Sequence, residues 1–421
     1  MSEKLEPLPG TADIWEPETS QWIFLEQTAR GLFPRYGYSE LRTPIFERTD
    51  VFVRGIGTET DVVQKEMYTF EDRGGRSLTL RPEGTAGVMR AIANQGVAEG
   101  DEKRVFYMGP MFRGERPAAG RRRQFHQIGA EAVGRAAPAM DAECIAMLVH
   151  FLEELGIRDS RLLLNSRGTA ADRPAVAEAL KAYFAPHKEA LCPDCQRRLD
   201  ANVWRLLDCK VEGCQPLING APKITELLGD ESKTFFAEVC RNLDAMGVAY
   251  QVEPRLVRGL DYYVHTVFEI QHSGLGAQNA LAGGGRYAIA LASGDRTVEG
   301  VGFALGMERL LMARQSLNLA AAEAPGCQAY VVALGPQALA LALPLAQELR
   351  RCGVRTLCET AGRSMKAQLR TANKVHAKFA LIRGDSELEK GTIVCKNLDT
   401  SVQEEWPVAE TAARLRAALA G

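Results

Sequence analysis

The sequence predicts an α+β protein in which a domain of antiparallel strands, carrying a helical insertion, is followed by a smaller α/β domain. A chain of 421 residues exceeds one typical domain. Paired runs with period-2 alternation at 104–113 and 124–133 predict antiparallel hairpins. From residue 327, β-rich segments alternate with helical ones, which indicates a mainly parallel sheet. An alanine-rich linker at Pro325 and Gly326 gives predicted domains 1–325 and 326–421.

Composition limits the class of protein. A hydrophobic content of 46% with 25% charged residues is typical of a globular chain that buries a sizeable core. The formal net charge of −2 argues against a broad basic coat for nucleic acid, so such binding would use local basic patches. The first residues lack the order of a signal peptide, and no apolar run is long enough to span a bilayer. We expect a cytoplasmic protein with no membrane association.

The N-terminal elements begin with a helix over 17–35, where Trp22, Leu25, Ala29 and Leu32 recur at helical spacing. A strand around 38–47 follows, and its proline suits a sheet edge or a subunit boundary. The stretch 66–80 predicts a hairpin because two β-rich runs flank an Arg-Gly-Gly turn.

The next helix begins near Thr85, which is placed to cap it. Glu83 lies just before this helix, at the end of a strand. Its carboxylate could hold an ammonium group. Alternatively, Glu83 is an N-terminal helix acid that interacts favourably with the helix dipole.

The hairpin at 104–134 predicts a ligand site. Alternation places Gln127, Gly129 and Glu131 on one face, so a bare glycine lies between an amide and a carboxylate. On the facing strand, Gly109 leaves a second bare patch near Arg113. A small polar molecule could lie here with its phosphate against Arg113. The alternative is an exposed hairpin with a solvated arginine-rich loop.

After a helix near 141–156 and a short strand, residues 172–250 are helical and polar, like an insertion standing apart from the sheet. Cys192 and Cys195 have the spacing of a zinc knuckle, and Cys209 with Cys214 could complete four ligands. The alternative is four free cysteines in a small helical core. The sequence leaves this choice open, and it identifies no other metal site.

Residues 256–270 predict a loop containing Arg258 and then a strand from about Asp261 to Ile270. His265 in that strand is a poor catalytic candidate because no nucleophile accompanies it in a local pattern. The glycines at 283–285 allow the backbone to approach a ligand closely. Residues 300–314 pass from strand into helix, with Arg309 on the first turns of that helix. In the tail, Lys366, Arg370 and Lys374 form a basic stripe that is either a solvated face or a phosphate-binding one.

Three stretches occur in the order of the class II synthetase motifs: the helix and strand ending at Pro44, the FRGE hairpin with its arginine loop at 112–123, and GFALGMERLL at 302–311. More specific are RPEGTAG, QFHQIGAE, RGLDYYVHTVFEI and GGGRY. On these motifs the chain resembles bacterial histidyl-tRNA synthetases over essentially its whole length. The main alternative is a catalytically inactive paralogue that serves as regulatory subunit of ATP phosphoribosyltransferase. A class II synthetase for threonine, proline or glycine is a second.

The resemblance implies a class II antiparallel-sheet catalytic domain that pairs into a homodimer, and a C-terminal anticodon-binding domain. It implies that L-histidine attacks ATP to give histidyl-adenylate, with Mg²⁺ on the outer phosphates, and that tRNA(His) then accepts the histidyl group. Neither step needs a protein nucleophile, so the protein positions reactants and neutralises charge.

Matching residue by residue, the resemblance assigns roles to four sets of side chains. The catalytic residues are Arg258 and Arg113. The ATP-binding residues are Arg113, Glu115, Arg258 and Arg309. The histidine-binding residues are Glu83, Thr85, Gln127, Glu131, Tyr262, Tyr263 and Tyr287. The tRNA-binding residues are Arg116, Arg121, Arg122, Arg123, Lys366, Arg370 and Lys374.

Two places depart from the family pattern. Ala118 and Ala119 stand where a glutamine, often with a lysine, is common in the arginine loop. Ala288 and Ile289 stand where Asp-Gly usually follows GGGRY.

Overall fold

The hairpin predicted at 104–134 lies within an eight-stranded sheet. The computed structural model describes residues 5–58, 60–96, 101–258, 262–276, 279–292, 294–322 and 326–420, and at 290–296 it describes backbone alone. The chain divides into two compact units, Met1–Ala321 and Ala322–Gly421. No helix in these ranges is both long and apolar enough to cross a membrane.

The first unit alternates strands and helices along the chain. Its strands are β1 (Ser39–Glu40), β2 (Phe46–Arg48), β3 (Thr69–Glu71), β4 (Ser77–Leu80), β5 (Lys103–Phe112), β6 (Gln124–Val133), β7 (Ser160–Ser166), β8 (Gln251–Val252), β9 (Tyr263–His272), β10 (Ala280–Ala292) and β11 (Gly294–Gly306). Its helices are α1 (Glu18–Leu32), α2 (Thr49–Ile56), α3 (Thr85–Gln95), α4 (Pro138–Glu154), α5 (Arg173–Phe184), α6 (Pro193–Ala201), α7 (Gln215–Asn219), α8 (Ile224–Leu227), α9 (Asp230–Ala245) and α10 (Met307–Ser316). Short 3₁₀ turns lie between several of them, and a π-helical turn spans Val62–Glu66.

The large sheet has the strand order β1-β5-β6-β11-β10-β9-β7-β8. The outer pairs β1–β5 and β7–β8 are parallel and every other neighbouring pair is antiparallel. The register places Glu131 opposite Gly302 and Gln127 opposite Gly306, so β6 and β11 lie side by side in the interior of the sheet. The antiparallel core is therefore as expected.

Helices α1, α4, α9 and α10 contribute to one continuous apolar core with the sheet. Phe33, at the end of α1, is fully buried and lies edge-on to Phe106 on β5 and Phe303 on β11. This packing joins the end of the N-terminal helix to β5 and β11, and such aromatic pairs add to the stabilisation from burial. It explains why apolar residues recur at helical spacing in α1.

The hairpin predicted at 66–80 forms as β3 and β4, and β2 pairs with β4 to complete a separate three-stranded sheet. The rings of Phe46 and Phe70 lie 6.4 Å apart across it. Both side chains remain about half exposed, at 52% and 44%. The sheet therefore presents an aromatic surface to solvent in the single chain.

The insertion predicted at 172–250 is helical, but it does not stand apart along its whole length. Residues from Val176 to Leu228 share their own apolar core. In contrast, Val239 and Leu243 of α9 are fully buried in the main core, and β8 joins the large sheet. The expectation of a detached insertion is wrong for 230–245, because α9 packs against α4.

The second unit is a five-stranded sheet with helices. Its strands are β12 (Ala329–Ala333), β13 (Thr356–Cys358), β14 (Phe379–Arg383), β15 (Thr392–Asn397) and β16 (Gln403–Pro407), in the order β13-β12-β14-β15-β16. Its helices are α11 (Pro336–Arg351), α12 (Met365–Lys374), α13 (Asp385–Lys390) and α14 (Thr411–Ala420).

This sheet is mixed. β12 pairs in parallel with β13 and β14, whereas β14–β15 and β15–β16 are antiparallel. The prediction of a mainly parallel sheet is wrong for the last strands, because they follow one another after connections too short for a full crossover helix.

Candidate active site

A cavity of about 290 Å³ opens beside the central strands of the large sheet. It collects side chains from distant parts of the chain. The sequence-predicted residues that line it are Glu83, Thr85, Arg113, Glu115, Arg121, Arg122, Gln127, Glu131, Arg258, Tyr262, Tyr263, Tyr287 and Arg309. Every residue predicted to bind histidine or ATP therefore contributes to one cavity.

Glu131 lies at the most buried part of this cavity. Its Oε1 accepts a 2.7 Å hydrogen bond from the Thr85 hydroxyl, and its Oε2 has no hydrogen-bond partner among the described residues. A Cβ on the opposing Gly302 would lie only 1.7 Å from that Oε2, so the carboxyl group occupies the space that the glycine leaves. Burial raises the pKa of Glu131 to about 8.

Two hydroxyl groups close to Glu131, those of Tyr107 and Tyr287, are buried without a hydrogen-bond partner among the described residues, and so is Gln127 Oε1 further along β6. Burial raises the pKa of both tyrosines well above its ordinary value, with the Glu131 carboxylate as the next cause. Buried polar atoms in native proteins are nearly always hydrogen-bonded. Unpartnered buried atoms therefore favour a polar ligand at the part of the cavity around Glu131, which we call the Glu131 end.

Glu83 both lines the cavity and caps α3. Its carboxylate accepts the backbone N–H groups of Thr85 at 2.8 Å and Ala86 at 2.7 Å. The helix-acid interpretation of Glu83 is therefore confirmed, and its role in holding an ammonium group stays a prediction. Burial raises the pKa of Glu83, and the two N–H groups oppose that shift. The prediction that Thr85 caps the helix is wrong, because Gly84 occupies the cap position and the Thr85 hydroxyl points to Glu131.

The two glycine patches predicted on the hairpin are filled. A Cβ on Gly129 would lie 2.3 Å from the Tyr107 ring, and one on Gly109 would lie 2.5 Å from Arg81 Nη2. The expectation of bare patches is wrong, because Tyr107 on β5 fills the space beside Gly129 and Arg81, just after β4, fills the space beside Gly109. Tyr107 was missed, although alternation places it on the face of Gly109 and directly opposite Gly129.

The opposite part of the cavity, the arginine end, carries Arg113, Arg258 and Arg309. Arg113 Nε donates to the Pro82 carbonyl at 2.9 Å, and its guanidinium lies 5.4 Å from the centre of the Phe125 ring. Arg309 donates to the backbone carbonyls of Gly120 at 3.3 Å and Ala280 at 2.5 Å. These bonds fix both guanidinium groups, which can therefore meet an anion with little reorganisation.

Arg258 lies over the first glycine of GGGRY. A Cβ on Gly283 would be 2.2 Å from Arg258 Nη2, so a side chain there would displace the guanidinium. Arg258 donates to Glu269, whose other oxygen accepts from Gln271 at 2.9 Å. The predicted strand start at Asp261 lies outside the described residues, and β9 begins at Tyr263.

The arginine loop closes in a tight turn. Ala118 and Arg121 exchange backbone hydrogen bonds of 3.0 and 2.9 Å, and the side chain of Arg121 pairs with Glu115 at 2.6 Å. The Arg123 side chain packs against Gly10, to whose carbonyl its N–H donates at 2.8 Å. Arg116 is exposed and does not line the cavity, so the loop arginines have different environments.

Phe125 and Glu308 are among the cavity-lining residues that are absent from the predicted set. The Phe125 ring lies beside Arg113, and Glu308 receives the backbone N–H of His126 at 3.0 Å. The His126 ring in turn lies edge-on to Trp22 of α1 at 4.7 Å. Phe125 alternates with Gln127 along β6, and that alternation could have identified it.

The arginine of GGGRY is structural. Arg286 is fully buried, bonds Asp141 at 2.5 Å and lies 3.5 Å from Glu299. Glu299 is the residue opposite Ala288 across the β10–β11 ladder. Carboxylates from α4 and β11 thus accompany this guanidinium in a sequence that lacks an aspartate at position 288.

The three residues of the C-terminal basic stripe, Lys366, Arg370 and Lys374, are all exposed along α12 in the second unit. Ser364 caps this helix by accepting the Ala367 N–H at 3.4 Å. The predicted stripe thus exists as an exposed face.

A mainly antiparallel sheet carries a cavity that joins a buried carboxyl end to an arginine end, and α10 supplies Arg309 to it. This is the catalytic fold of a class II aminoacyl-tRNA synthetase. The family model for histidyl-tRNA synthetase matches residues 10–310, and one for an anticodon binding domain matches residues 328–418. The chain belongs to the histidyl-tRNA synthetase family.

Similar proteins cover almost the whole chain. A histidine–tRNA ligase of Fervidobacterium nodosum is 47% identical over 95% of this chain and 96% of its own. Another, of Solidesulfovibrio magneticus, is 48% identical over 99% of this chain and 98% of its own. The crystal structure of the apo histidyl-tRNA synthetase of S. aureus matches with a TM-score of 0.83 and 36% identity, over 98% of this chain and all of that one.

Proposed function

We propose that this protein is a histidine–tRNA ligase, which activates L-histidine with ATP and transfers it to the 3′ end of tRNA(His). The observation that carries the proposal is the joining of the Glu131 end and the arginine end in one cavity. The Glu131 end suits the small polar side chain of an amino acid, and the arginine end suits phosphates. The names of the relatives support the same activity.

In the first step a histidine carboxylate oxygen forms a bond to the α-phosphorus of ATP, and the bond from that phosphorus to the bridging oxygen breaks to release pyrophosphate. Arg113 and Arg258 would hold the α-phosphate, and Arg309 the γ-phosphate end. Arg258 would also contact the histidine carboxylate. Guanidinium groups fixed by backbone carbonyls and by Glu269 neutralise charge that develops in the transition state.

Histidine would lie with its imidazole at the Glu131 end. Glu131 and Tyr263 would bond the two ring nitrogens, Glu83 the ammonium group and Gln127 the polar backbone end. Thr85, Tyr262 and Tyr287 complete the lining. An analogue without ring nitrogens would leave these buried atoms unpaired, so the pocket should select histidine over it by a factor of roughly 10⁴. This supports specificity without an editing site.

For the nucleotide, Glu115 would lie near the adenine amino group and the Phe125 ring offers a face for the base. Mg²⁺ would enter as the metal of the ATP substrate complex, on the outer phosphates. The carboxylates at this end already have protein partners: Glu115 pairs with Arg121, Glu269 with Arg258, and Glu308 with the His126 N–H. Such a set is better suited to positioning arginines than to enclosing a cation.

In the second step a ribose hydroxyl at the tRNA 3′ end attacks the histidyl carbonyl and adenosine monophosphate leaves. Arg116, Arg121, Arg122 and Arg123 would guide the acceptor end, and Lys366, Arg370 and Lys374 would contact phosphates from the C-terminal anticodon-binding domain, residues 326–421. The glutamine-free turn at Ala118 and Ala119 favours phosphate contacts over base reading in the loop.

We further propose a cytoplasmic homodimer. The exposed Ile45, Phe46 and Phe70 lie at the small sheet, next to the proline that ends the first motif. Apolar surface of this kind commonly marks a protein interface. Sedimentation equilibrium should therefore give twice the 46.0 kDa chain mass, and a single-chain mass at micromolar concentration would contradict it.

The regulatory-paralogue alternative predicts no chemistry at this cavity. The deciding experiment is ATP–pyrophosphate exchange with each standard amino acid, followed by transfer to tRNA(His). We expect exchange with histidine alone and subsequent charging of the tRNA. Absence of exchange in a folded preparation that binds ATP would refute the ligase function and favour the regulatory one.

A further inference from the structure

The insertion contains four cysteines whose side chains converge on one point. They are Cys192, Cys195, Cys209 and Cys214, and their sulfur atoms all lie within 4.8 Å of one another. The Sγ atoms of Cys192 and Cys209 are 3.9 Å apart. Four thiolates around a tetrahedral Zn²⁺, with Zn–S bonds of about 2.3 Å, are separated by about 3.8 Å. The observed cluster is thus close to the size that a zinc ion requires.

Backbone groups around the cluster suit thiolates. The Cys192 N–H donates to the sulfur of Cys214 at 3.2 Å, and the Val211 N–H donates to the sulfur of Cys209 at 3.4 Å. Such bonds orient metal-bound sulfur and offset its negative charge. Free cysteines packed as small apolar side chains would not require their sulfur atoms to meet at one point.

The surrounding fold also favours a metal. Between Cys192 and Leu228 the helices are only nine, five and four residues long, joined by 3₁₀ turns. Helices this short have little stability of their own. Three of the four cysteines are buried, and Cys192 is partly exposed, which leaves a route for an ion.

We propose that Cys192, Cys195, Cys209 and Cys214 bind one structural Zn²⁺ that holds the insertion core together. The four protein ligands complete a tetrahedral site, as in structural rather than catalytic zinc centres. This core includes Val257, which directly precedes Arg258, so the ion would also fix one end of the loop that carries this arginine.

Metal analysis of the full-length protein, purified with thiol reductant and without chelator, tests the site directly. We expect about one zinc per chain. Its release should parallel the reaction of the four cysteine thiolates with an organomercurial. In Co²⁺-exchanged protein we expect the visible bands of a tetrahedral tetrathiolate site. A zinc content near zero in folded protein would overturn the proposal, and so would iron in place of zinc. An intact mass below that of the fully reduced chain, which would indicate disulfides, would overturn it as well.

Substitution separates metal binding from mere packing. Cys192→Ser, at the exposed edge of the site, should lower zinc affinity at least tenfold against a competing chelator and increase hydrogen exchange across 192–228. Cys352→Ser, a partly exposed cysteine of the second unit, is the matched control and should retain full zinc. Unchanged zinc affinity in a folded Cys192→Ser variant would exclude Cys192 as a ligand and overturn the four-ligand site.

Discussion

Replacing Glu131 with glutamine should make the ligand-free protein more stable at high pH while it damages histidine binding. Burial raises the pKa of this carboxyl group from 4.5 to about 8. Between these two values the folded chain keeps a proton that the unfolded chain has released. The protonated carboxyl group therefore makes its full contribution to the free energy of unfolding below about pH 4.5. As pH rises from there towards 8, the free energy of unfolding falls by about 1.4 kcal/mol per pH unit.

From roughly pH 6 to pH 8, Glu131 should lower the free energy of unfolding of the wild-type protein by about 2 kcal/mol. The decrease is less than about 1.4 kcal/mol for each of the two pH units, because the folded carboxyl group begins to ionise near pH 8. Glu131→Gln removes this dependence, because an amide has no proton to lose and its oxygen can still accept from Thr85. Glu83, whose pKa burial also raises, is present in both proteins, and its charge is one of the causes that raise the pKa of Glu131, so the difference between the two proteins reports Glu131 together with its coupling to Glu83.

The assay is the thermal midpoint of ligand-free protein at fixed concentration, measured across this pH range. We expect the midpoint of the variant to rise relative to wild type by about 2 to 3 °C on going from pH 6 to pH 8, at about 1.1 to 1.5 °C per kcal/mol for a unit of this length. Histidine-dependent exchange should meanwhile show a KM for histidine raised about tenfold, since the hydrogen bond between the Glu131 carboxyl group and an imidazole nitrogen is lost and a buried polar group left unpaired costs about 1 to 3 kcal/mol.

Glu178→Gln is the matched control, because that carboxylate is exposed on α5. It should leave both the pH profile and the KM unchanged. Identical pH profiles for wild type and Glu131→Gln would refute the reasoning, because they would mean that Glu131 is already ionised at low pH in the folded chain.

Two further predictions concern positions where side chains share limited space. Gly302→Ala should reduce histidine-dependent exchange at least 100-fold, since its Cβ would overlap Glu131 Oε2 at 1.7 Å and the Ala130 carbonyl at 2.5 Å. Gly31→Ala is the control and should leave exchange unchanged, because a Cβ there has nothing within 4 Å. A fully active Gly302→Ala enzyme would contradict the packing around Glu131. Arg258→Ala should lower the kcat of exchange about 10² to 10³-fold with little change in the Kd of histidine measured by calorimetry. Arg255→Ala, three residues away and bonded to the Asn219 carbonyl, is its control, and an unaltered kcat for Arg258→Ala would remove its catalytic role.

Local patterns in the sequence were enough to predict most elements. Alternation at 104–133 predicted β5 and β6, and apolar spacing predicted α1, because one buried face of a strand or helix leaves a periodic record in the chain. The ordered motifs then predicted the residues that line the cavity. Strand direction in the second unit was not predictable in this way, since a strand has the same alternation in a parallel or an antiparallel pair.

What only the tertiary structure decided is which groups fill the spaces between strands. The sequence by itself determined that Gly129 and Gly109 lack side chains, but the Tyr107 ring and Arg81 occupy those spaces from other elements. It determined that four cysteines lie in one insertion, whereas the fold brings their sulfur atoms within 4.8 Å. The physical reason is that periodicity reports the face on which a residue lies, while long-range contacts depend on the register of strands distant in sequence.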